Sequence, residues 1–314
     1  MGQDLALRKR LKAVALALTM LATNSAAGQQ TFSTDEAAKN GWAMEQNRSA
    51  VWHLAQHNKL GSAISGLKLQ RPGTVDAYVI AVGLDSDPVF AREAGEAARV
   101  LSHRYGAVGR TLFLAAGSDE KPAGTPQGSP STLATALAAV AAKMDVNEDV
   151  LILFATTHGD PVSGLVYRDG TNGAGMIAPQ RLATLLDGLQ IKRRMILLSA
   201  CYAGVFLPML SSEDSIIITA ASANRTSFGC APGNDWTFFG DALINNALRK
   251  PQPLGIASDE AVELIRNWEA ARDLISSRPQ VYFGDKANLW LIPLEARMPK
   301  IETPKVGRPA VESS

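Results

Sequence analysis

Short apolar runs alternate with helical patterns along most of the chain. Ala77–Leu84 (AYVIAVGL) is continuously apolar, which suits a strand buried on both faces. Thr111–Ala115, Asp149–Thr156 (DVLILFAT), Arg194–Ser199 (RMILLS) and Ser215–Ala221 (SIIITAA) predict further strands on the same grounds. The segments between them carry helical periodicity: Phe90–His103, Ser131–Met144 with Ser131 or Thr132 as N-cap, and Pro179–Leu189 with its proline in the first turn. Residues 35–58 read as an amphipathic helix, with Trp42, Val51 and Leu54 among its apolar positions. Ser163–Gly175 predicts a short hairpin, 236–249 and 258–276 predict helices, and Val281–Phe283 a short strand. The Gly-, Pro- and Ser-rich stretch Gly117–Pro130 reads as a loop, and Pro299–Ser314 has too few apolar residues to pack and reads as a loose tail.

Strands alternating with helices predict an α/β fold, a mostly parallel central sheet with helices on both faces. The first residues carry a separate signal. Arg8, Lys9, Arg10 and Lys12 precede the apolar run Ala13–Ala22, and small residues follow at Ser25–Ala27. That run is about half the ~20 residues a spanning helix needs, so the pattern is that of a secretory signal peptide cut after Ala27. The expected organisation is a signal peptide at 1–27, an N-terminal helical extension at 28–74, a catalytic domain at 75–294 and a flexible tail at 295–314. The mature protein is expected in the periplasm or outside the cell, off the membrane, where disulfides persist.

Composition narrows the function classes. The chain has 314 residues, 46% of them apolar and 19% charged, which excludes a disordered or fibrous protein. Lys plus Arg is 31 and Asp plus Glu is 30, so no basic footprint for nucleic acid exists. Two cysteines, Cys201 and Cys230, are too few for a disulfide scaffold or a four-cysteine zinc site. His53 and His57 have the i, i+4 spacing of metal ligands, but no third ligand accompanies them, and no metal or other cofactor is expected. Gly-x-Ser-x-Gly, a P-loop and a dinucleotide-binding glycine motif are all absent. The run Arg92, Glu93, Glu96, Arg99 reads most simply as a solvated helix face.

In open α/β sheets the site lies beyond the carboxyl ends of the strands. Asp85 follows the first strand, Thr157-His158-Gly159 the third, and Ala200-Cys201-Tyr202 the fourth. The polar loop Ser222–Asn234 follows the fifth and brings Ser227 and Cys230. If the third and fourth strands are neighbours, His158 and Cys201 meet at one edge. The pair then has a defined chemistry. The thiolate is the nucleophilic form of cysteine, and an adjacent imidazole takes its proton or stabilises it as an ion pair. A glycine beside His158 admits a substrate carbonyl, and the Gly159 and Cys201 amides can donate to a developing oxyanion. A helix starting just after Cys201 would favour its negative charge.

Taken together, Asp149–Gly159 (DVLILFATTHG), Met195–Gly204 (MILLSACYAG) and Ile216–Leu248 resemble the legumain-like family of cysteine endopeptidases, particularly its bacterial members, over roughly residues 75–290. The resemblance implies a caspase-like α/β sandwich, a polypeptide substrate and no cofactor. It implies His158 as general base, Cys201 as nucleophile, and Gly159 with the Cys201 amide as oxyanion hole. Asp85 falls where the family has an asparagine that orients the histidine. The pocket departs from the family: Ser199 stands in place of an acid, and the pocket arginine aligns with Ala91, next to Arg92. Asp241 matches a pocket acid. Ser199, Arg92, Ser227 and Asp241 are therefore the expected substrate-binding residues, and an Asn/Asp preference does not carry over. Cys230 either bridges Cys201 or lines the pocket as a free thiol. A non-catalytic binding module of the same fold and a transpeptidase using the same acyl-enzyme are the alternative readings. The scissile residue and the oligomeric state are not encoded in any motif.

Overall fold

The computed structural model describes residues 41–117, 122 and 124–312. The expected signal peptide, and part of the Gly117–Pro130 loop, lie outside the described residues. The N-terminal part departs from the expected single helix. A short strand, β1 (Ala43–Glu45), comes first, and helix α1 (Ala50–Ser65) starts after Ser49. The Ser49 hydroxyl accepts from the Trp52 N–H at 3.1 Å, which sets the helix start. Val51 and Leu54 are exposed, so their apolar spacing does not mark a core face.

The strands β2 (Ala77–Gly83), β3 (Thr111–Ala115) and β4 (Val150–Thr156) follow, with helix α2 (Pro88–Arg104) after β2 and α3 (Pro130–Ala141) after β3. The cap of α3 is Ser129, two or three residues before the expected position: its hydroxyl accepts from the Thr132 N–H at 3.2 Å. The hairpin is present and larger than foreseen. Strands β5 (Gly159–Asp160), β6 (Gly164–Asp169) and β7 (Gly173–Ile177) join β1 in an antiparallel sheet of order β1-β7-β6-β5. Then come α4 (Pro179–Gly188), β8 (Arg194–Ser199), β9 (Ser215–Thr219), α5 (Leu254–Ala271), β10 (Gln280–Phe283) and α6 (Asn288–Glu295). The central sheet has the order β10-β9-β8-β4-β2-β3 and is parallel except for β10.

Alternation within β2 shows why its apolar run is unbroken. Ala77, Val79 and Ala81 join one core, shared with buried residues of α2, α5 and α6. Tyr78, Ile80 and Val82 join the other, shared with buried residues of α3 and α4. Every β2 residue is buried, and each such Val or Ile contributes about 1.5–3 kcal/mol. β3 lies on one side of β2 and β4 on the other, so the strand order reverses between β2 and β4. That reversal opens a crevice at the carboxyl ends, where α/β proteins bind ligands.

Two helical expectations change. Residues 240–246 form a π-helical stretch rather than a plain α-helix. The helix expected over 258–276 runs Leu254–Ala271, beginning right after Pro253. The C-terminal segment, expected to be loose, is held against the body of the fold. Ala310 is buried, its N–H donates to Asp241 Oδ2 at 2.7 Å, and the Val306 carbonyl accepts from the Trp236 indole at 2.8 Å. Hydrogen bonds, not apolar area, hold it, which is why a count of apolar residues misses it. Asp241 also accepts from the Asn245 and Asn246 amides at 2.8 and 3.0 Å. Asp241→Ala leaves these buried donors without their carboxylate and is expected to cost about 2–4 kcal/mol, read as a shift in urea unfolding. A midpoint equal to that of the parent protein would show that the segment does not depend on this anchor.

Candidate active site

The site is built at the crevice, from residues that follow four neighbouring strands. β4 and β8 are adjacent and parallel, and Thr156 pairs with Ser199. His158 and Cys201 each lie two residues beyond that pair, so both emerge at the same edge. Gly159 is pressed against the Cys201 backbone: a Cβ placed there would come within 1.8 Å of the Cys201 carbonyl oxygen. The Val166 N–H donates to the His158 carbonyl at 3.0 Å, which makes Gly159 and Leu165 a non-hydrogen-bonded pair. The Gly159 N–H is therefore turned away from β6.

The Cys201 sulfur sits among donors. The Ser227 N–H reaches it at 3.2 Å and the Ser227 hydroxyl lies at 3.6 Å. Both cysteines are free. Hydrogen bonding by the neighbouring Cys230 thiol is the largest cause of a Cys201 pKa lowered to about 6; burial opposes it, while Ser227 and the charge of His158 support it. Cys230 is pushed up by the same hydrogen bond and by burial, with the charge of Glu93 adding to both. Tyr202, between Cys201 and the helical segment that follows, takes a left-handed conformation, φ 57°, and a 3-10 turn, Ala203–Phe206, runs into a short α-helix, Leu207–Leu210.

The histidine is held by a residue other than the one expected. Its Nε2 lies 3.4 Å from Asp87 Oδ2, and its ring stacks edge-on against Phe90 at 5.0 Å between centroids. Asp85 is close but differently engaged: its Oδ1 accepts the Asp87 N–H at 2.9 Å and the Arg168 guanidinium at 3.0 Å. Arg168 also binds Asp87 at 2.7 Å, so it ties the two aspartates together. Asp85, Asp87 and His158 each present a ligand atom within 4.8 Å of the others. The Arg168 guanidinium already supplies the positive charge there. Asp87 hides in the sequence because Asp-Pro at the start of a helix reads as an ordinary N-cap. In the fold its carboxylate makes no capping hydrogen bond and turns to His158 and Arg168 instead.

The expected pocket residues divide. Ser227 touches the sulfur. Ser199 is buried below it, its hydroxyl 3.0 Å from that of Thr237. Glu93, fully buried, completes this floor: its Oε2 accepts the Thr237 N–H at 2.8 Å. Burial raises its pKa, opposed by the neighbouring Ser199, Thr237 and Thr156. The acid absent at position 199 is thus supplied to the same corner from α2. The expected solvated helix face is corrected accordingly: Glu93 and Glu96 are buried, Glu96 pairs with Arg249 at 2.5 Å, and of the four residues only Arg99 is well exposed. Arg92 donates to the Pro232 carbonyl at 2.8 Å and to that of Asn234, and so braces the loop after Cys230. Asp241 is buried, and its carboxylate is engaged by the Ala310 N–H and by the Asn245 and Asn246 amides. His53 and His57 line a separate cavity of about 220 Å³ with Glu45 and Gln56. No group of three metal-ligating side chains includes them among the described residues.

The model of the Peptidase C13 family matches residues 132–291. That span holds His158, Gly159, Ser199, Cys201, Ser227 and Asp241; Asp85, Asp87, Arg92 and Glu93 precede it. Among solved structures, caspase-1 from Spodoptera frugiperda is similar, with 11% identity and a TM-score of 0.44 over 69% of this chain and 93% of that one. No curated protein matches.

Proposed function

The chain belongs to the peptidase C13 family of cysteine endopeptidases, and on that premise we propose that Cys201 is its nucleophile, His158 its acid–base residue, and a polypeptide its substrate. The observation that carries this reading is the placement of both side chains two residues past one paired position, Thr156 with Ser199, at the crevice. With Asp87 accepting from Nε2, the neutral imidazole keeps Nδ1 as its basic nitrogen. Nδ1 takes the Cys201 thiol proton, the thiolate attacks the peptide carbonyl, and the Gly159 and Cys201 amides receive the developing negative charge. His158 gives its proton to the leaving amine. Water then attacks the acyl-enzyme, His158 takes the water's proton, and the thiolate leaves again.

Alkylation with iodoacetamide tests the nucleophile directly. Cys201 is expected to react in preference to Cys230, with its rate rising through a midpoint near pH 6, in line with its lowered pKa. In Cys230→Ala the midpoint is expected to move upward, because the largest cause of the lowering is gone. Equal and slow alkylation of both thiols in the parent protein would overturn the assignment. The basic cluster, the short apolar run and the small residues before position 28 support export. Among the described residues no helix is long and apolar enough to cross a membrane. N-terminal sequencing of the mature protein is expected to begin at Gly28, and a mature chain that begins at Met1 would remove the export reading.

A further inference from the structure

The site holds a second thiol that peptide hydrolysis does not use. The Ser227 N–H lies 3.2 Å from the Cys201 sulfur, Cys230 follows three positions later, both thiols are free, and each is near enough to shift the pKa of the other. A bend at Phe228 and Gly229 at φ 90° carry the chain from Ser227 to Cys230. The Asn234 side chain fastens this turn by donating to the Gly229 carbonyl at 3.0 Å. We propose that Cys201 and Cys230 form a reversible oxidation couple, in which a peroxide oxidises the Cys201 sulfur and Cys230 captures it as an intramolecular disulfide.

The chemistry balances in two steps. The Cys201 thiolate attacks a peroxide oxygen; the O–O bond breaks, the sulfur loses two electrons, and an alkoxide or hydroxide leaves and takes up a proton. The resulting sulfenic acid is attacked by the Cys230 sulfur; the S–S bond forms, and the Cys230 proton leaves with the displaced hydroxyl as water. A dithiol reductant returns two electrons and restores both thiols. The two positions are unequal in the way these roles require. Donors surround Cys201 and favour its thiolate, the peroxide-reactive form. Cys230, whose pKa is raised by Cys201 and by burial, is the less reactive thiol toward peroxide, so Cys201 is oxidised first, and Cys230 gives up its proton as it attacks the sulfenic acid. The disulfide blocks hydrolysis only because Cys201 is the proposed nucleophile, but its formation does not depend on that reading.

Mass spectrometry of the full chain distinguishes the two. After brief treatment with a slight excess of hydrogen peroxide, peptide mapping without reduction is expected to show Cys201 and Cys230 linked, with the loss of two hydrogens. Cys201 alkylation is expected to fall by roughly tenfold or more and to return after dithiothreitol. In Cys230→Ala the same treatment is expected to add two or three oxygens to Cys201, with no recovery on reduction. The proposal is overturned if the parent protein accumulates those oxygen adducts while Cys230 stays alkylatable, or if no link forms. The parent-protein mapping decides this even where the variant fails to fold. A link that forms in a protein without peptidase activity would uphold the couple and remove the functional reading.

Discussion

Cys201→Ala is expected to bring hydrolysis of a diverse peptide library to background, and His158→Ala to lower kcat/KM by roughly 10²–10⁴-fold, the usual worth of a positioned acid–base group. Neither side chain carries core packing, since both are part-exposed at the crevice. Both variants should therefore keep the unfolding midpoint of the parent protein. The His158 variant is also expected to raise the midpoint of Cys201 alkylation, by less than Cys230→Ala does, because Cys230 is the largest cause of the lowered thiol pKa and the charge of His158 the last. Full activity in His158→Ala would place the proton transfer on another group and remove the imidazole from the mechanism.

Gly159→Ala is the second large effect. The added methyl would stand 1.8 Å from the Cys201 carbonyl oxygen and 3.2 Å from its amide nitrogen. Both are backbone atoms, so no side-chain rotation relieves the collision. The strands must part, and a displacement of about 1 Å at the nucleophile costs on the order of 10²-fold in rate. The expected result is that loss in kcat/KM together with about 1–3 kcal/mol in urea unfolding. An alanine variant with the parent's rate and stability would show that Gly159 and Cys201 are not in contact.

The parts of the fold that hydrophobic pattern governs were legible in the chain. Thr111–Ala115 and Arg194–Ser199 have the bounds expected of them, because their apolar runs, residues 112–115 and 195–198, mark where the chain enters the sheet. His158 and Cys201 were legible for a related reason: the end of such a strand marks the end of its apolar run. What escaped depends on polar contacts between distant segments. Glu93 carries no sign that it turns inward to the Thr237 N–H, since a glutamate on a helix is usually solvated. Nothing near Asp241 in the sequence shows that its carboxylate takes the N–H of Ala310, 69 residues away. Ser49 was an available cap within the supposed helix 35–58, but the pairing of Ala43–Glu45 with Gly173–Gly175 could not be read locally. Asp85 and Asp87 are two residues apart and chemically alike, so only the fold tells which one faces the imidazole.

Pairing in register has a consequence for insertions and deletions. The imidazole and the thiol are matched by their equal distance from Thr156 and Ser199, not by the length of chain that separates them. Removing one residue from β4 or β8 would turn one partner to the opposite side of the sheet. Lengthening the tip of the β6–β7 hairpin or the link from α4 to β8 would leave both in place. The stretch between the two reactive groups is thus free to vary in size, and any shape it acquires there can alter what approaches the crevice while the chemistry stays the same.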